Sequence, residues 1–395
     1  MSTYRYVASH IRTGQTLADS VPLTVASFSR NLNGSGALNG NLNLQVPDTL
    51  NVPFLEALET RRCVLWVLQD DYPVWAGAVW DSPLTSLAAK QVPITAQSLE
   101  SVFDHREISA TLIYSAVDIF EVFCDLAKYG LSKTSPFIAA TSPTPAPSAT
   151  VTTAAAVPQI AVPTGARCGV PWTATYTYSD FRKVSDVFTD LAASGNLEWA
   201  LEPALDANGN LIAMVRLGYT QLGRPAHASG ITLTYPGNAV DYGYPQTGSQ
   251  GANYLWVTAP PNGSAASWLS SYPHGVDLDD LNAGYPLMED SASWGGSTVT
   301  SQAQVDAYAD AQVMLRAQAM TTPTVTIGGG SWPGLKDIVL GDSVAFAATS
   351  ARHPAQADGT PGLQVTLRVT GWTCTPPADG QQETIQLTTS PVGAA

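Results

Sequence analysis

The run CVLWVLQDDYPVWAGAVW at residues 63–80 restricts the possible folds of this chain more than any other stretch. Two apolar arms, Cys63 to Leu68 and Val74 to Trp80, flank Gln69-Asp70-Asp71-Tyr72-Pro73, and turn-forming residues between two such arms specify an antiparallel hairpin. Trp66, Trp75 and Trp80 give the arms large apolar surfaces. Gly77 between them marks a bulge or a close backbone contact. Gln91 to Ala96 offers a third strand. Upstream, Tyr4 to His10 alternates, Thr13-Gly14-Gln15 turns, and Leu23, Val25 and Phe28 belong to a strand. Asn31 to Gly40, NLNGSGALNG, reads as a glycine–asparagine loop, after which Leu42 and Leu44 restart the alternation. Residues 54–62 read as a short polar approach to the hairpin.

From about residue 109 the texture changes. Ser115 and Asp118 have capping-box spacing. Phe120, Phe123, Cys124 and Ala127 then fall at helical spacing, with Gly130 as the stop. Residues 134–165 are dense in Pro, Ala, Ser and Thr, a composition that predicts an exposed extended loop. A second helix is expected, capped by Ser179, with Phe181, Val184, Val187, Phe188 and Leu191 on one face and Gly195 at its end. Glu198 to Glu202 and Leu211 to Tyr219 then pair across Asp206 to Asn210, where Asn-Gly supplies a tight turn.

The chain returns to β at Ile231 to Tyr235, at the alternating Val240, Tyr242 and Tyr244, and at Asn253 to Ala259. Residues 260–297 are rich in loop signals. Ser301 and Gln304 open a helix with Val305, Tyr308, Gln312, Leu315 and Ala319 as its stripe, ending before Pro323. Thr324 to Ile327, Val344 to Ala347, Gln364 to Gly371 and Glu383 to Thr389 are the last strands. The fold class is therefore mainly β with an α+β insertion.

Composition narrows the function. Charged residues are only 13% of the chain and the formal net charge is −14, which argues against phosphate-mediated nucleic-acid binding and against an anionic membrane surface. No apolar run of membrane-spanning length occurs and the N-terminus lacks the apolar core of a signal peptide, so neither a span nor secretion is expected. Cys63, Cys124, Cys168 and Cys374 stand far apart, without C-x-x-C spacing, and read as free buried thiols rather than a zinc site or disulfide framework.

Catalytic patterns are missing. The glycine loop at 328–334 lacks the Lys-Ser/Thr end of a phosphate loop. Ser331 has glycine at 329 but proline at 333, so it is no nucleophile elbow. His10, His105, His227, His274 and His353 are scattered. The best acidic cluster, Asp277-Leu278-Asp279-Asp280-Leu281-Asn282, misses the calcium-loop register and reads as a surface loop. No catalytic, cofactor-binding or metal-binding residue is expected, and no cofactor.

Four stretches carry a family resemblance: NLNGSGALNGNLNL, the CVLWVLQDDYPVWAGAVWD hairpin, TYPGNAVDYGYPQTGSQGANYLWVTA, and an alanine-rich helix followed by PTVTIGGGSWPGLKDIVLGDSVAF, in which Gly341-Asp342 precedes a strand. In order and spacing the chain resembles the siphophage minor tail proteins of the tail-tip (baseplate) hub, as in phages of actinobacteria. The Pro/Ala/Thr-rich stretch at 134–165 departs from that pattern. The resemblance implies two tail-tube-like β-barrel or sandwich domains plus a smaller helix-containing domain. These would be 1–108, then the insertion 109–225, then 226–262 with 323–391, interrupted by loops and a helix at 263–322. It further implies a homotrimer in the virion that adapts a sixfold tube to threefold tip components. Its implied neighbours are a distal tail protein, a tape measure protein and tail fibre or central spike proteins. A carboxylate-lined lumen would repel passing DNA. Two other functions remain in view: a cell-wall hydrolase, which needs converging acids such as Asp279, and a receptor-binding module using aromatic loops.

Overall fold

The 63–80 run forms the expected hairpin, and its surroundings explain its unbroken hydrophobicity. A computed structural model describes residues 2–44, 52–82, 91–132, 157–243, 245–247, 251–259, 268–293, 301–317, 320–321, 323–378 and 381–391. Most of the Pro/Ala/Thr-rich stretch at 134–165, and Tyr244 and Ala319, lie outside these residues. The N-terminal strands are β1 (Tyr4–His10), β2 (Thr16–Ala18), β3 (Leu23–Asn31), β4 (Ala37–Asn43), β5 (Cys63–Gln69), β6 (Tyr72–Asp81) and β7 (Gln91–Ser98), with a short helix α1 (Val52–Ala57) where a polar approach was expected. Gln69 pairs with Tyr72. The turn is therefore Asp70-Asp71 alone, both at positive φ of 49° and 63°, the two-residue geometry that matches strand twist. Every residue of β5 is buried. Cys63, Leu65 and Val67 enter one core, while Val64, Trp66 and Leu68 enter a second on the opposite face. Both faces are covered, so the strand is apolar throughout. At Gly77 an added Cβ would lie 2.4 Å from the Gln97 carbonyl oxygen, so close approach requires glycine there.

The glycine–asparagine loop is shorter than its composition suggests. Leu38 and Leu42 are buried on β4, and Gly40 lets that strand lie against Thr24 and Val25 of β3. The loop shrinks to residues 32–36, with Asn33 at φ 59°.

The insertion holds β8 (Leu112–Asp118), α2 (Ile119–Ser132), β9 (Ile160–Ala161), β10 (Pro171–Tyr176), α3 (Val184–Gly195), β11 (Leu197–Leu205) and β12 (Leu211–Tyr219). Ser115 lies in β8 and does not cap α2. Asp118 does, accepting from the Phe120 N–H at 2.9 Å and from the Gly169 N–H at 2.6 Å, which ties the helix start to a distant loop. Gly130 sits inside α2, which continues to Ser132. On α3, Val184, Val187, Phe188 and Leu191 are buried, but Phe181 precedes the helix at φ 50° and is 76% exposed. Phe123 and Phe188 stack at 3.9 Å beside Trp199, joining α2, α3 and β11.

After α4 (Ala226–Ser229) come β13 (Thr232–Tyr235) and β14 (Ala239–Gly243). Within β14, Ala239 is buried and Val240 is exposed, while Tyr242 packs against the core and Asp241 is exposed, so burial does not follow a simple alternation along this strand. The chain divides into two compact units, Met1–Tyr242 with Val325–Ala395, and Gly243–Thr324. The smaller unit contains β15 (Gln246–Thr247), β16 (Tyr254–Ala259), β17 (Trp268–Leu269), α5 (Leu278–Asn282), β18 (Glu289–Ser293), α6 (Gln302–Ala317) and β19 (Met320–Thr321). The strand at 254–259, grouped by sequence with the second β domain, thus belongs to this unit. Its core is Leu255, Val257 and Ala259 against Val305, Ala309 and Val313, with Tyr308 packed alongside, so the expected Val305 and Tyr308 do face the core, joined by Ala309 and Val313.

The larger unit is completed by β20 (Thr324–Gly328), β21 (Ser343–Ala348), β22 (Leu363–Thr375) and β23 (Thr384–Pro391). One 13-stranded sheet runs β14-β20-β23-β22-β3-β4-β7-β6-β5-β1-β2, with β13 and β21 branching from β22. Strand β22 changes neighbour along its length. Leu363–Arg368 pairs with β21, and Gly371–Cys374 pairs with Phe28–Asn31 of β3. Each half curls. Tyr4 on β1 reaches Phe28 on β3 with ring centroids 6.0 Å apart, although four strands separate them in the sheet. Tyr235 and Tyr242 likewise meet at 5.1 Å across the ends of the other half. Phe28 and Trp372 make an edge contact at 5.7 Å where the halves join.

Removing the Trp372 ring should therefore weaken both halves together. Trp372→Ala is expected to lose about 3–5 kcal/mol, and in urea the fluorescence of the remaining tryptophans and the far-UV signal should move to the same lower midpoint. Separate transitions for the two signals would contradict a shared core.

Candidate functional site

The five histidines lie in different strands, helices and turns. His10 Nδ1 accepts from the Arg12 N–H at 3.1 Å in a turn. His105 packs on Trp80 at 4.5 Å between ring centroids, His227 lies in α4, and His353 meets the Tyr242 hydroxyl at 2.9 Å. The acidic run at 277–282 is a helix start: Asp277 caps α5 by accepting from the N–H groups of Asp279 and Asp280 at 3.0 and 3.1 Å. Ser331 sits in a turn, its N–H donating to the Gly328 carbonyl at 3.2 Å. Among the described residues no group of three or more His, Cys, Asp or Glu could hold a metal. The four cysteines are free thiols. Burial pushes Cys63 and Cys374 up to about 12 and Cys124 up to about 11, the wrong direction for nucleophiles.

The Gly341-Asp342 pair does have a structural task, which sequence alone did not reveal. The Asp342 side chain is fully buried. It accepts from the Arg224 N–H at 2.8 Å, from Arg224 Nη2 at 2.5 Å and from the Val339 N–H at 3.2 Å. Gly341 adopts φ 88°, and a Cβ on Gly223 would lie 1.9 Å from the Gly341 carbonyl carbon. The segment leaving the insertion thus runs backbone to backbone against the start of β21. Beside it, the Arg368 guanidinium makes two parallel bonds to Glu198, the first 2.6 Å from Nη1 to Oε1, and Glu198 Oε2 also accepts from the Leu222 N–H at 2.7 Å. On the other side of the hairpin, buried Arg30 donates to the Leu201 carbonyl at 2.6 Å and lies 3.5 Å from Glu202, while buried Glu100 accepts from the Leu201 N–H. Burial raises the Glu100 carboxyl despite nearby Arg30. These charged groups fasten β11 to β3 and β22.

Two surfaces are open to partners. A cleft of about 560 Å³ lies between β1 and the β11–β12 turn, with Arg5 ion-paired to Asp19 and Asp71 on its wall. In the smaller unit, one face of β16 carries Tyr254 and Trp256, with rings 4.8 Å apart and Trp256 38% exposed, opposite the face covered by α6. Tyr272, Tyr285 and Leu287 are exposed in the same unit.

Solved tail proteins share this fold over nearly all of the chain. The tail protein from Neisseria meningitidis MC58 superposes with a TM-score of 0.56 at 12% identity, over 98% of this chain and 97% of that one. The 43 kDa tail protein of prophage MuSo2 from Shewanella oneidensis gives 0.56 at 11% identity, over 98% of both chains. A Francisella PdpA–VgrG complex in its lidded form gives 0.52 at 9% identity, over 99% of this chain and 53% of that one, so this chain spans about half its length. At such identities the fold is what is shared. No protein-family model and no curated protein matches the sequence.

Two outcomes follow from the polar joints. Arg224→Ala leaves a buried carboxylate without its cation and is expected to cost about 3–5 kcal/mol, read as a lower urea midpoint; Arg224→Lys, lacking the planar fork, should recover little of it. In the smaller unit, His274 Nδ1 meets Asp310 at 2.8 Å, and that hydrogen bond raises the imidazole above its usual 6.5. A raised folded-state value means that the pair's contribution is complete below about pH 6.5 and is lost as pH rises through the raised value. Hydrogen exchange of α6 should quicken across that window, and His274→Gln should remove the pH dependence.

Proposed function

We propose that the chain is a structural component of a phage-type tail with no catalytic role. The observation that carries this reading is the likeness in fold to two tail proteins over 98% of the chain. The spread of the five histidines over separate elements and the capping task of Asp277 fit it, as does the placement of buried charges at joints between elements. Among the described residues no helix is long and apolar enough to cross a membrane.

In its finer form the reading is a homotrimeric hub at the distal tip of a long non-contractile siphovirus tail, built into the virion after assembly in the host cytoplasm. It adapts the sixfold tube to threefold tip components and closes the channel before DNA ejection. Its neighbours are a distal tail protein, a tape measure protein and a tail fibre or central spike. The resemblance of the sequence to tail-tip hub proteins supports this form, and the net charge of −14 suits a channel that must not retain DNA. Two curled β-halves per chain would present six such units in a trimer, which supports the sixfold match. A second reading, binding of a host receptor or wall polysaccharide, draws on the exposed Tyr254–Trp256 face and could operate within the same particle.

The test is the mass of the purified protein in solution, supported by labelling of the intact particle. Three times 41.5 kDa, with label at the tail tip, is the expected result. A monomer in solution combined with label elsewhere on the particle would overturn the hub.

A further inference from the structure

The sheet of the smaller unit is covered on one side by α6, which packs on Leu255, Val257 and Ala259. Strand pairing fixes what stands on the other side. Leu269 of β17 lies opposite Thr258. Glu289, Ser291 and Ser293 of β18 lie opposite Tyr254, Trp256 and Thr258. Directly paired residues share a face, so Tyr254, Trp256, Leu269 and Glu289 all stand on the open side. Trp256 Nε1 donates to Glu289 Oε1 at 3.5 Å. The segment that leads into β18 is held to the start of β16 by Asn253, whose side chain donates to the Pro286 carbonyl at 2.9 Å and accepts from the Met288 N–H at 2.8 Å. Leu287 in that segment is 57% exposed, and Leu269 is 47% exposed. An aromatic pair and bare leucines on a fixed sheet surface form the kind of apolar face that marks an interaction site.

Charge narrows what can cover it. Residues 243–324 hold seven Asp and Glu side chains against one arginine and no lysine, so this unit carries −6 of the chain's −14. Phosphate, whether of nucleic acid or of lipid, is repelled. Two copies meeting through this same face would set one −6 unit against another, with Glu289 close to its own counterpart. A saccharide stacks on rings, but its hydroxyls gain nothing from bare leucines. An apolar protein surface edged by cations satisfies both the leucines and the carboxylates.

We propose that the open face of β16 docks a different protein, one that presents apolar side chains flanked by lysine or arginine. Trp256 and Leu269 are covered in the contact, and Glu289 faces the partner's cations. The inference requires no trimer, so a monomeric chain would leave it standing.

The probe is an acetylated hexapeptide alternating lysine and leucine, titrated into the full chain. The signals followed by NMR are the amides of β16 and β18 and the Trp256 indole N–H, identified by its loss in Trp256→Phe. Saturable shifts with a dissociation constant on the order of 1 mM are expected, weakened several-fold by raising the salt to about 0.5 M. The same peptide with glutamate for lysine should leave these signals in place. Leu269→Ser should weaken binding by about fivefold or more, and Glu289→Lys by a few fold. Both side chains are exposed, so neither change touches the core. Equal response to the two peptides, or no saturable shift at β16 and β18, would overturn the proposal. So would a stronger response to chitin hexasaccharide than to the lysine peptide, which would assign the face to a glycan. Concentration-dependent shifts of these signals in the chain alone would assign it to a second copy and overturn it as well.

Discussion

The antiparallel pairing of Gly371–Cys374 with Phe28–Asn31 is the constraint on which the larger unit depends. It joins strands from opposite ends of the chain, and the Tyr4 hydroxyl and Cys374 sulfur, 370 positions apart, meet at 3.4 Å beside it. Without that register, β22 would end with β21 and β23, and the N-terminal strands would lose the cover that Trp372 gives Phe28. Gly371 allows the splice: a Cβ there would lie 2.8 Å from the Asn31 side-chain oxygen. Pairing of such long range has a large loop-closure cost that the buried aromatic contacts must offset.

Buried charges around the splice have a related purpose. Arg368–Glu198 and Arg30–Glu202 hold the same strand, β11, from two neighbouring strands, β22 and β3. Arg224–Asp342 then fixes the segment that leaves the insertion. Desolvation makes such pairs weak contributors to stability, but a misaligned strand would leave a charge buried and unmatched, so they select one register. Enzymes concentrate strained and charged groups at one cleft. Here they are distributed along the joints of a fold shared with solved tail proteins.

What could be read from sequence was local. The hairpins β5–β6 and β11–β12 were legible because their turns and arms are contiguous, and the apolar faces of α2 and α3 were legible from spacing. The errors arose where a partner far along the chain decides. Gly371 read as a strand end, yet the strand continues to Thr375 because β3 lies alongside. Asn31 to Gly40 read as loop, yet β4 begins at Ala37 because β3 and β7 flank it. Ser115 read as a cap, yet β10 draws it into a strand. The contact of Gln69 with Glu383 had no sequence signal, since the two come together only through the curl of the sheet.

Sequence by itself determined the mainly β character, the hairpin at 63–80, the helical insertion and the free thiols, because these follow from short-range periodicity, turn chemistry and composition. Tertiary structure alone decided that the two ends share one sheet, that β5 is buried on both faces, and that Asp342 and Glu383 lie in the interior. Those outcomes depend on which distant backbone supplies the next hydrogen bond, and a linear pattern of side chains does not encode that choice until the chain has closed on itself.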